Sequence, residues 1–216
     1  MKVHGLSFTP KVQRILIAAQ YAGVEIAVEE FFPKGQTEEV LAEFRKKNPN
    51  GLVPTLEAPE GCLYETNAIL RYVARSNEGA NIYGKTDFER ALIDQHLDWI
   101  ATTLEPALFP IFYTLIGLKT YEKAAYETGL EAAKKVLRIV DDRLKQSKFL
   151  AGDSLSIADI ALVSILNLLF RFVFDEKFRK PFQNLSKYFE TVANEENFKK
   201  ILGRPVLAKV ALPLGN

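Results

Sequence analysis

Residues 1–77 alternate strand-like and helix-like patterns, and this alternation constrains the fold more than any other feature of the chain. The segment KVHGL (2–6) is typical of a short strand. A helix is predicted from Pro10, which suits a first helical position, to Gly23, which suits a helix C-cap. The segment VEIAVEEF (24–31) then alternates apolar and charged side chains, as a half-buried strand does.

The same region continues with a helix, a hairpin and a further helix. Residues 38–47 favour a helix, and TNAILRYVARS (66–76) predicts another. Between them, VPTLEAPEGCLYE (53–65) indicates two short strands around Ala58-Pro59-Glu60-Gly61, in which Pro and Gly take positions typical of a type I turn. The order β-α-β-α-β-β-α predicts a small sheet with helices packed on its faces.

After a segment rich in Gly and Asn, the patterns become helical only. A long apolar-periodic stretch, FERALIDQHLDWIATTLEPALFPIFYTLIG, contains Pro106 and Pro110, where kinks are expected. The sequence therefore predicts an α/β domain over 1–77, a linker over 78–86 and an all-helical domain over 87–216.

Ser156 and Asp159 begin the most apolar helix of the chain. A Ser N-cap with an acid three residues later is a capping-box arrangement. Asp159 is the only charge between Ser154 and Arg171, so we expect it to lie in the core, where it needs several hydrogen bonds. We predict a structural role for Ser156 and Asp159, whose loss should affect folding rather than chemistry.

Composition and charge argue against several functions. The 28 Lys and Arg residues balance 27 Asp and Glu residues, which gives no global attraction to nucleic acid or to an anionic membrane. One cysteine, Cys62, and two distant histidines provide neither a disulfide nor a metal-binding spacing, so no metal is expected. The N-terminus lacks a secretory signal, and the most apolar stretch is too short to span a bilayer. We expect a soluble cytoplasmic protein.

Two dipeptides, Val53-Pro54 and Glu65-Thr66, are candidates for ligand binding. An Xaa-Pro bond is the common place for a cis peptide, and Val53 there could offer its backbone to an extended peptide, although most such bonds are trans and only structural. Glu65-Thr66 lies where a strand becomes a helix, and helix N-termini favour carboxylates. Thr66 could donate to that carboxylate while Glu65 accepts from an ammonium group. The alternative is that Thr66 caps its own helix.

The loop SFTP after the first strand supplies two hydroxyl groups, those of Ser7 and Thr9. A hydroxyl that donates to a bound thiolate lowers the pKa of the thiol and raises its reactive fraction. Ser7 and Thr9 are therefore candidate thiol activators.

This combination of elements and motifs resembles the glutathione transferase superfamily over nearly the whole chain. The resemblance implies a thioredoxin-like N-terminal domain followed by an all-helical C-terminal domain. It also implies that the Val53 backbone, ahead of Pro54, pairs with the cysteinyl part of glutathione and that Glu65-Thr66 holds the γ-glutamyl end. Position 66 usually carries Ser. Leu52 departs from the Gln or Lys usual at its position and removes one donor.

Within the superfamily, four segments are similar to the amino-terminal domain of the elongation factor 1 gamma family: RILIAAQYAGVEI, NPNGLVPTLE, YETNAILRYVA and FLAGDSLSIADIALV. These proteins are scaffolding subunits of the elongation factor 1B nucleotide-exchange complex. The resemblance implies a transferase-like scaffolding domain in translation elongation, standing alone in this chain. Other elongation factor 1B subunits would be its partners, and it would form a homodimer and retain glutathione as a ligand.

Two alternatives stay open. An active transferase of the phi or theta type would use Thr9, which lies five residues before Arg14 as the activating hydroxyl does in phi enzymes. An interaction domain of a tRNA synthetase complex would share the fold. Because Leu52 and Thr9 depart from the usual residues, we expect weakened glutathione binding and slow catalysis.

Overall fold

The computed structural model describes residues 1–213, and its first part contains the predicted order of elements. The elements are β1 (Lys2–His4), α1 (Pro10–Ala22), β2 (Ala27–Glu29), α2 (Glu38–Arg45), β3 (Thr55–Ala58), β4 (Gly61–Tyr64) and α3 (Thr66–Arg75). The first two strands are shorter than the sequence predicts, because the ladder between them contains only the pairs Lys2–Ala27, Val3–Val28 and His4–Glu29.

The strands form a four-stranded mixed sheet in the order β2-β1-β3-β4. β1 runs parallel to β2 and antiparallel to β3, and β3 and β4 make the predicted hairpin. Successive side chains of β1 point to opposite faces. Val3 therefore lies in the core with α1 and α3, while the His4 ring packs edge-on against Phe44 of α2 on the other face.

Helix α1 begins and ends where the sequence predicts. Pro10 occupies the first turn, where its missing N–H costs no hydrogen bond. Gly23 adopts φ 65°, a left-handed conformation that glycine takes without steric cost, and closes the helix end. The following amide of Val24 donates to the Ala19 carbonyl at 3.0 Å and turns the chain toward β2.

The remainder of the described chain is helical. A short 3₁₀ turn (Glu78–Ala80) precedes seven α-helices among these residues, namely α4 (Asp87–Trp99), α5 (Glu105–Leu115), α6 (Lys123–Arg143), α7 (Ile157–Phe172), α8 (Glu176–Arg179), α9 (Gln183–Ala193) and α10 (Glu196–Leu202). The 3₁₀ turn lies within the segment predicted as the linker, and the exact division of the chain into domains stays a prediction.

A π-helical segment, Ile100–Leu104, joins α4 to α5. Pro106 follows directly in the first turn of α5, so its missing N–H falls where the wider π turn has already interrupted the regular hydrogen-bond ladder. The irregularity expected at Pro106 therefore takes the form of a π turn. Pro110 lies inside α5, and the Thr114 hydroxyl donates to its carbonyl at 2.8 Å.

Helix α7 is the centre of the helical part, and every residue from Ile157 to Asn167 is buried. The capping box is present at its start: the Ser156 hydroxyl accepts from the helix backbone, and the Asp159 carboxylate accepts from the Ser156 amide at 2.8 Å. Asp159 also accepts from the Leu150 amide and the Tyr188 hydroxyl, at 2.9 and 2.6 Å. Burial raises the pKa of Asp159, and these donors oppose the rise.

Polar contacts join the two parts of the molecule. Arg71 of α3 pairs with Asp94 of α4 at 2.6 Å and with Asp98 at 3.1 Å. The Asn67 side chain donates to the Leu97 carbonyl at 3.0 Å. Across residues 1–213, no helix combines the length and the apolar character needed to cross a membrane.

Candidate functional site

A cavity of about 410 Å³ lies between the sheet and the helical part of the molecule. It brings together three of the residues predicted from the sequence: Thr9, Val53 and Pro54. Leu52 lies on its wall as well, and the residue is 62% exposed. Ser7, Glu65 and Thr66 do not line this cavity.

The Val53-Pro54 peptide bond is cis. Within residues 1–213, neither the N–H nor the carbonyl of Val53 has a backbone partner, since the ladder between β1 and β3 ends at Thr55. The loop ahead of it is held in place, because the Leu52 carbonyl accepts from the side-chain amide of Asn48 at 2.6 Å and from the Thr55 hydroxyl at 3.0 Å. Val53 thus presents a fixed, unpaired peptide edge to the cavity.

The hairpin register places Glu65-Thr66 beside Val53-Pro54. Thr55 pairs with Tyr64, so the antiparallel register sets the next residue of each strand, Pro54 and Glu65, side by side. The two dipeptides lie at the same end of the β3–β4 pair. An extended ligand paired with Val53 would reach Glu65-Thr66 with one of its ends.

Glu65, and not Thr66, is the N-cap of α3. The interpretation of Thr66 as a cap is therefore wrong: Thr66 is the first helical residue, and its hydroxyl has no partner in the described part of the chain. Glu65 has φ 66° and ψ 114°, a conformation that few residues other than glycine adopt. Such backbone strain costs about 1–3 kcal/mol and recurs at ligand clamps.

The two candidate thiol activators are placed differently. The Thr9 hydroxyl donates to the Leu6 carbonyl at 2.7 Å, so its single proton is already used in a local hydrogen bond. Ser7 is exposed, and its amide donates to both oxygens of the Glu30 carboxylate at 3.2 Å. Thr9 alone reaches the cavity.

Sequence reasoning missed a buried ion pair in the cavity wall. Arg14 of α1 donates to Glu105 of α5, and the two residues are 1% and 4% exposed. They are 91 positions apart, and no local pattern links them. The wall also contains Lys11, Lys34 and a group of apolar side chains from α5 and the loop after it, namely Phe109, Phe112, Tyr113, Ile116 and Leu118.

The basic run RKK at 45–47 is paired with carboxylates. Arg45 contacts Glu38 at 2.5 Å, Lys46 contacts Glu43 at 2.6 Å, and Lys47 contacts Glu57 at 2.6 Å. The positive charges are neutralised locally. Over residues 1–213, no cluster of His, Cys, Asp and Glu side chains has the arrangement of a metal site.

Comparison with known protein families shows matches to two family models. The model described as "Glutathione S-transferase, N-terminal domain" matches residues 1–75, and "Glutathione S-transferase, C-terminal domain" matches residues 94–196. Together these matches cover both the sheet and the helical part of the chain.

Similar curated proteins include gamma-type elongation factors. "Probable elongation factor 1-gamma 1" of Arabidopsis thaliana is 37% identical over 93% of this chain and 48% of its own length. "Elongation factor 1-gamma" of Artemia salina is 34% identical over 88% of this chain and 43% of its own length. The chain thus spans about half the length of these curated relatives.

Similar solved structures are glutathione transferases. Poplar glutathione transferase F1 has a TM-score of 0.83 and 25% identity, covering 93% of this chain and 95% of its own. The theta class glutathione S-transferase of Xanthomonas axonopodis pv. citri, solved with glutathione bound, has a TM-score of 0.81 and 25% identity, covering 97% and 98%. These likenesses confirm the predicted fold class.

Proposed function

The chain belongs to the glutathione transferase superfamily, and we propose that it is a transferase-like scaffolding domain of the elongation factor 1 gamma type, acting in translation elongation. One observation carries this proposal: identity to an elongation factor 1 gamma reaches 37% over 93% of the chain, against 25% for the transferases compared above. The fold is common to both groups, so the difference in identity favours the scaffold. Function depends on the site rather than on the fold.

The cleft supports glutathione as a retained ligand. Its cysteinyl peptide group would pair with the free N–H and carbonyl of Val53, as an added strand does. Its γ-glutamyl end carries an ammonium and a carboxylate, which match the Glu65 carboxylate and the free Thr66 hydroxyl at the start of α3. Lys34 also lines the cavity and would meet the second carboxylate.

Catalysis in this cleft would be slow. To activate a thiol, Thr9 must give up its 2.7 Å hydrogen bond to the Leu6 carbonyl, because a hydroxyl has one proton to donate. Leu52 adds no donor at the position where a polar side chain would contact the ligand. Each missing donor to a charged group removes about 1.5–3 kcal/mol, or about one to two orders of magnitude in affinity.

Other elongation factor 1B subunits are the proposed partners, with homodimer formation as a further proposal and the cytoplasm as the compartment. The test is a calorimetric titration of the purified chain with the exchange subunits of elongation factor 1B from the same organism, and gel filtration of the mixture. Poplar glutathione transferase F1 is the matched control for the fold. We expect this chain, and not the poplar enzyme, to form a stoichiometric complex with the exchange subunits. Equal binding of the two proteins to these subunits would contradict the scaffold.

The alternative is an active transferase of the phi or theta type, which the presence of Thr9 and Val53 in the wall of one cavity favours. Conjugation of glutathione to 1-chloro-2,4-dinitrobenzene measures this activity. Turnover comparable with that of the poplar enzyme, lost in Thr9→Ala and kept in Ser7→Ala, would establish the transferase instead. The scaffold predicts weak turnover that changes little in either variant.

A further inference from the structure

A second cavity, of about 390 Å³, shares no lining residue with the proposed glutathione cleft. Its wall is formed by the end of α3, the segment that follows this helix and the start of α4. The wall contains three cationic side chains, those of Arg75, Lys85 and Arg90, and one carboxylate, that of Glu78. Three positive charges against one negative charge leave the lining cationic.

Arg75 is held in place by an aromatic ring rather than by a carboxylate. Its guanidinium carbon lies 4.9 Å from the centre of the Tyr83 ring, and one of its N–H groups donates to the Tyr83 hydroxyl at 3.3 Å. Tyr83 is itself fixed, because it is buried and its hydroxyl donates to the Asp94 carboxylate at 2.9 Å. Arg75 has no carboxylate partner within residues 1–213, so its charge and its other N–H groups stay available to a ligand.

Gly84 brings the other two cations to the same wall. It adopts φ 73°, and a Cβ there would lie 2.8 Å from the Cβ of Glu89 and 3.1 Å from the Arg90 amide nitrogen, so glycine allows the chain to pass this close to α4. Lys85 follows directly, and its ammonium forms no ion pair in the described part of the chain. Arg90 contacts Asp87 at 3.5 Å, but the Asp87 side chain is fully exposed, so this pair contributes little.

Helix stability does not account for the charge of Arg90. A cation near a helix N-terminus opposes the helix dipole, whereas Asp87 and Glu89 in the first turn of α4 complement it. The Glu89 carboxylate does not line the cavity and is already bound to the amides of Lys85 and Thr86, at 2.6 and 3.0 Å. Residues that conflict with local stability recur at functional sites, which favours a ligand as the partner of Arg90.

We propose that this cavity binds a terminal phosphate group, either as the free ion or on a small phosphate ester. A phosphate group carries about −1.5 to −2 charges at neutral pH and three acceptor oxygens, which match three cations from α3, the following loop and α4. A carboxylate carries a single charge and is satisfied by one arginine. Glu78 and Asn81 line the same cavity and suit the hydroxyl groups of an ester. The inference does not depend on the proposed function, because none of these residues lines the glutathione cleft.

The test is calorimetry on the full chain at neutral pH with inorganic phosphate, ribose 5-phosphate and ribose. We expect both phosphates to bind and ribose not to bind. Equal affinity for the two phosphates would assign the site to the free ion, and tighter binding of ribose 5-phosphate would assign it to an ester. Lys85→Gln removes the charge of an exposed side chain, so the variant should fold normally and weaken both phosphates about tenfold, the factor that about 1.4 kcal/mol represents. Glu78→Gln removes the lining carboxylate and should strengthen both.

Lys135→Gln is the matched control, because Lys135 is an exposed lysine of α6 that does not line the cavity. The inference is overturned if neither phosphate binds, if ribose binds as tightly as ribose 5-phosphate, or if Lys135→Gln weakens the phosphates as much as Lys85→Gln does. Glutathione is titrated in parallel. Loss of glutathione binding with phosphate binding intact would remove the proposed ligand of the cleft and leave this inference standing.

Discussion

Replacing Asp159 with Asn tests whether the start of α7 holds the helical part together. The Asp159 carboxylate is fully buried and accepts four hydrogen bonds, from the amides of Leu150 and Ser156 and from the hydroxyls of Ser156 and Tyr188. The side chain of Asn has the same shape but only one acceptor oxygen. Its NH₂ group would face two of the four donors, and two bonds would be lost.

The size of the effect follows from those bonds. Each buried donor left without a partner costs about 1–3 kcal/mol, so two give about 2–6 kcal/mol. The charge itself is unfavourable here, since burial raises the pKa of Asp159, and the neutral amide recovers part of the cost. We therefore expect a loss of about 2–4 kcal/mol, a large share of the 5–15 kcal/mol typical of a whole protein.

Urea unfolding followed by circular dichroism measures this loss. Asp153→Asn is the matched control, because Asp153 is exposed and precedes the same helix. Asp159 does not line the cavity, so ligand affinity of the folded variant should be unchanged. A loss below about 1 kcal/mol would refute the reasoning, and so would an equal loss in Asp153→Asn.

Three further substitutions test the cleft and its supports. Leu52→Gln should strengthen glutathione binding about tenfold by restoring a donor, and unchanged affinity in calorimetry would contradict the missing-contact argument. The hydrogen bond from Lys47, and after it that from His4, lowers the pKa of Glu57 from 4.5 to about 2. The contribution of the ionised carboxylate to stability is therefore complete above pH 4.5 and is lost as the pH falls to 2. Glu57→Gln should make the free energy of unfolding depend less on pH within that window, which acid unfolding measures. Glu105→Gln leaves the buried Arg14 charge without its partner and should cost about 3–5 kcal/mol in urea unfolding; a smaller loss than that of the exposed Asp153→Asn would contradict this.

Local patterns in the sequence were sufficient to predict the elements that depend on neighbouring residues. Pro10 and Gly23 delimit α1 because their backbone preferences act within one turn. Ser156 and Asp159 form a capping box because they are the N-cap and the third residue of one helix, three positions apart. The alternation in VEIAVEEF predicts a strand longer than the observed β2. Exposure does alternate along most of the segment, but the number of residues in the strand is set by how many of them pair with β1.

Features set by contacts distant in sequence, or by the backbone path of a single loop, could not be predicted in this way. The pair Arg14 and Glu105 joins α1 to α5, and nothing in either segment identifies the other as its partner. The sequence predicts Thr9 as a candidate thiol activator but does not show that its hydroxyl donates a hydrogen bond to the Leu6 carbonyl. The sequence also allows Thr66 as the cap of its own helix, but α3 already includes Thr66 as its first residue, and Glu65 is the N-cap.

At position 65, the residue that best suits the backbone conformation differs from the residue that best suits the proposed ligand. At φ 66° and ψ 114° glycine is the residue that suits the chain, whereas a carboxylate is the group that suits a ligand ammonium. A library at position 65 screened for thermal stability should therefore enrich Gly, and the same library screened on immobilised glutathione should retain Glu. If the two screens enrich different residues, the residue at position 65 is maintained for ligand binding at the expense of folding stability.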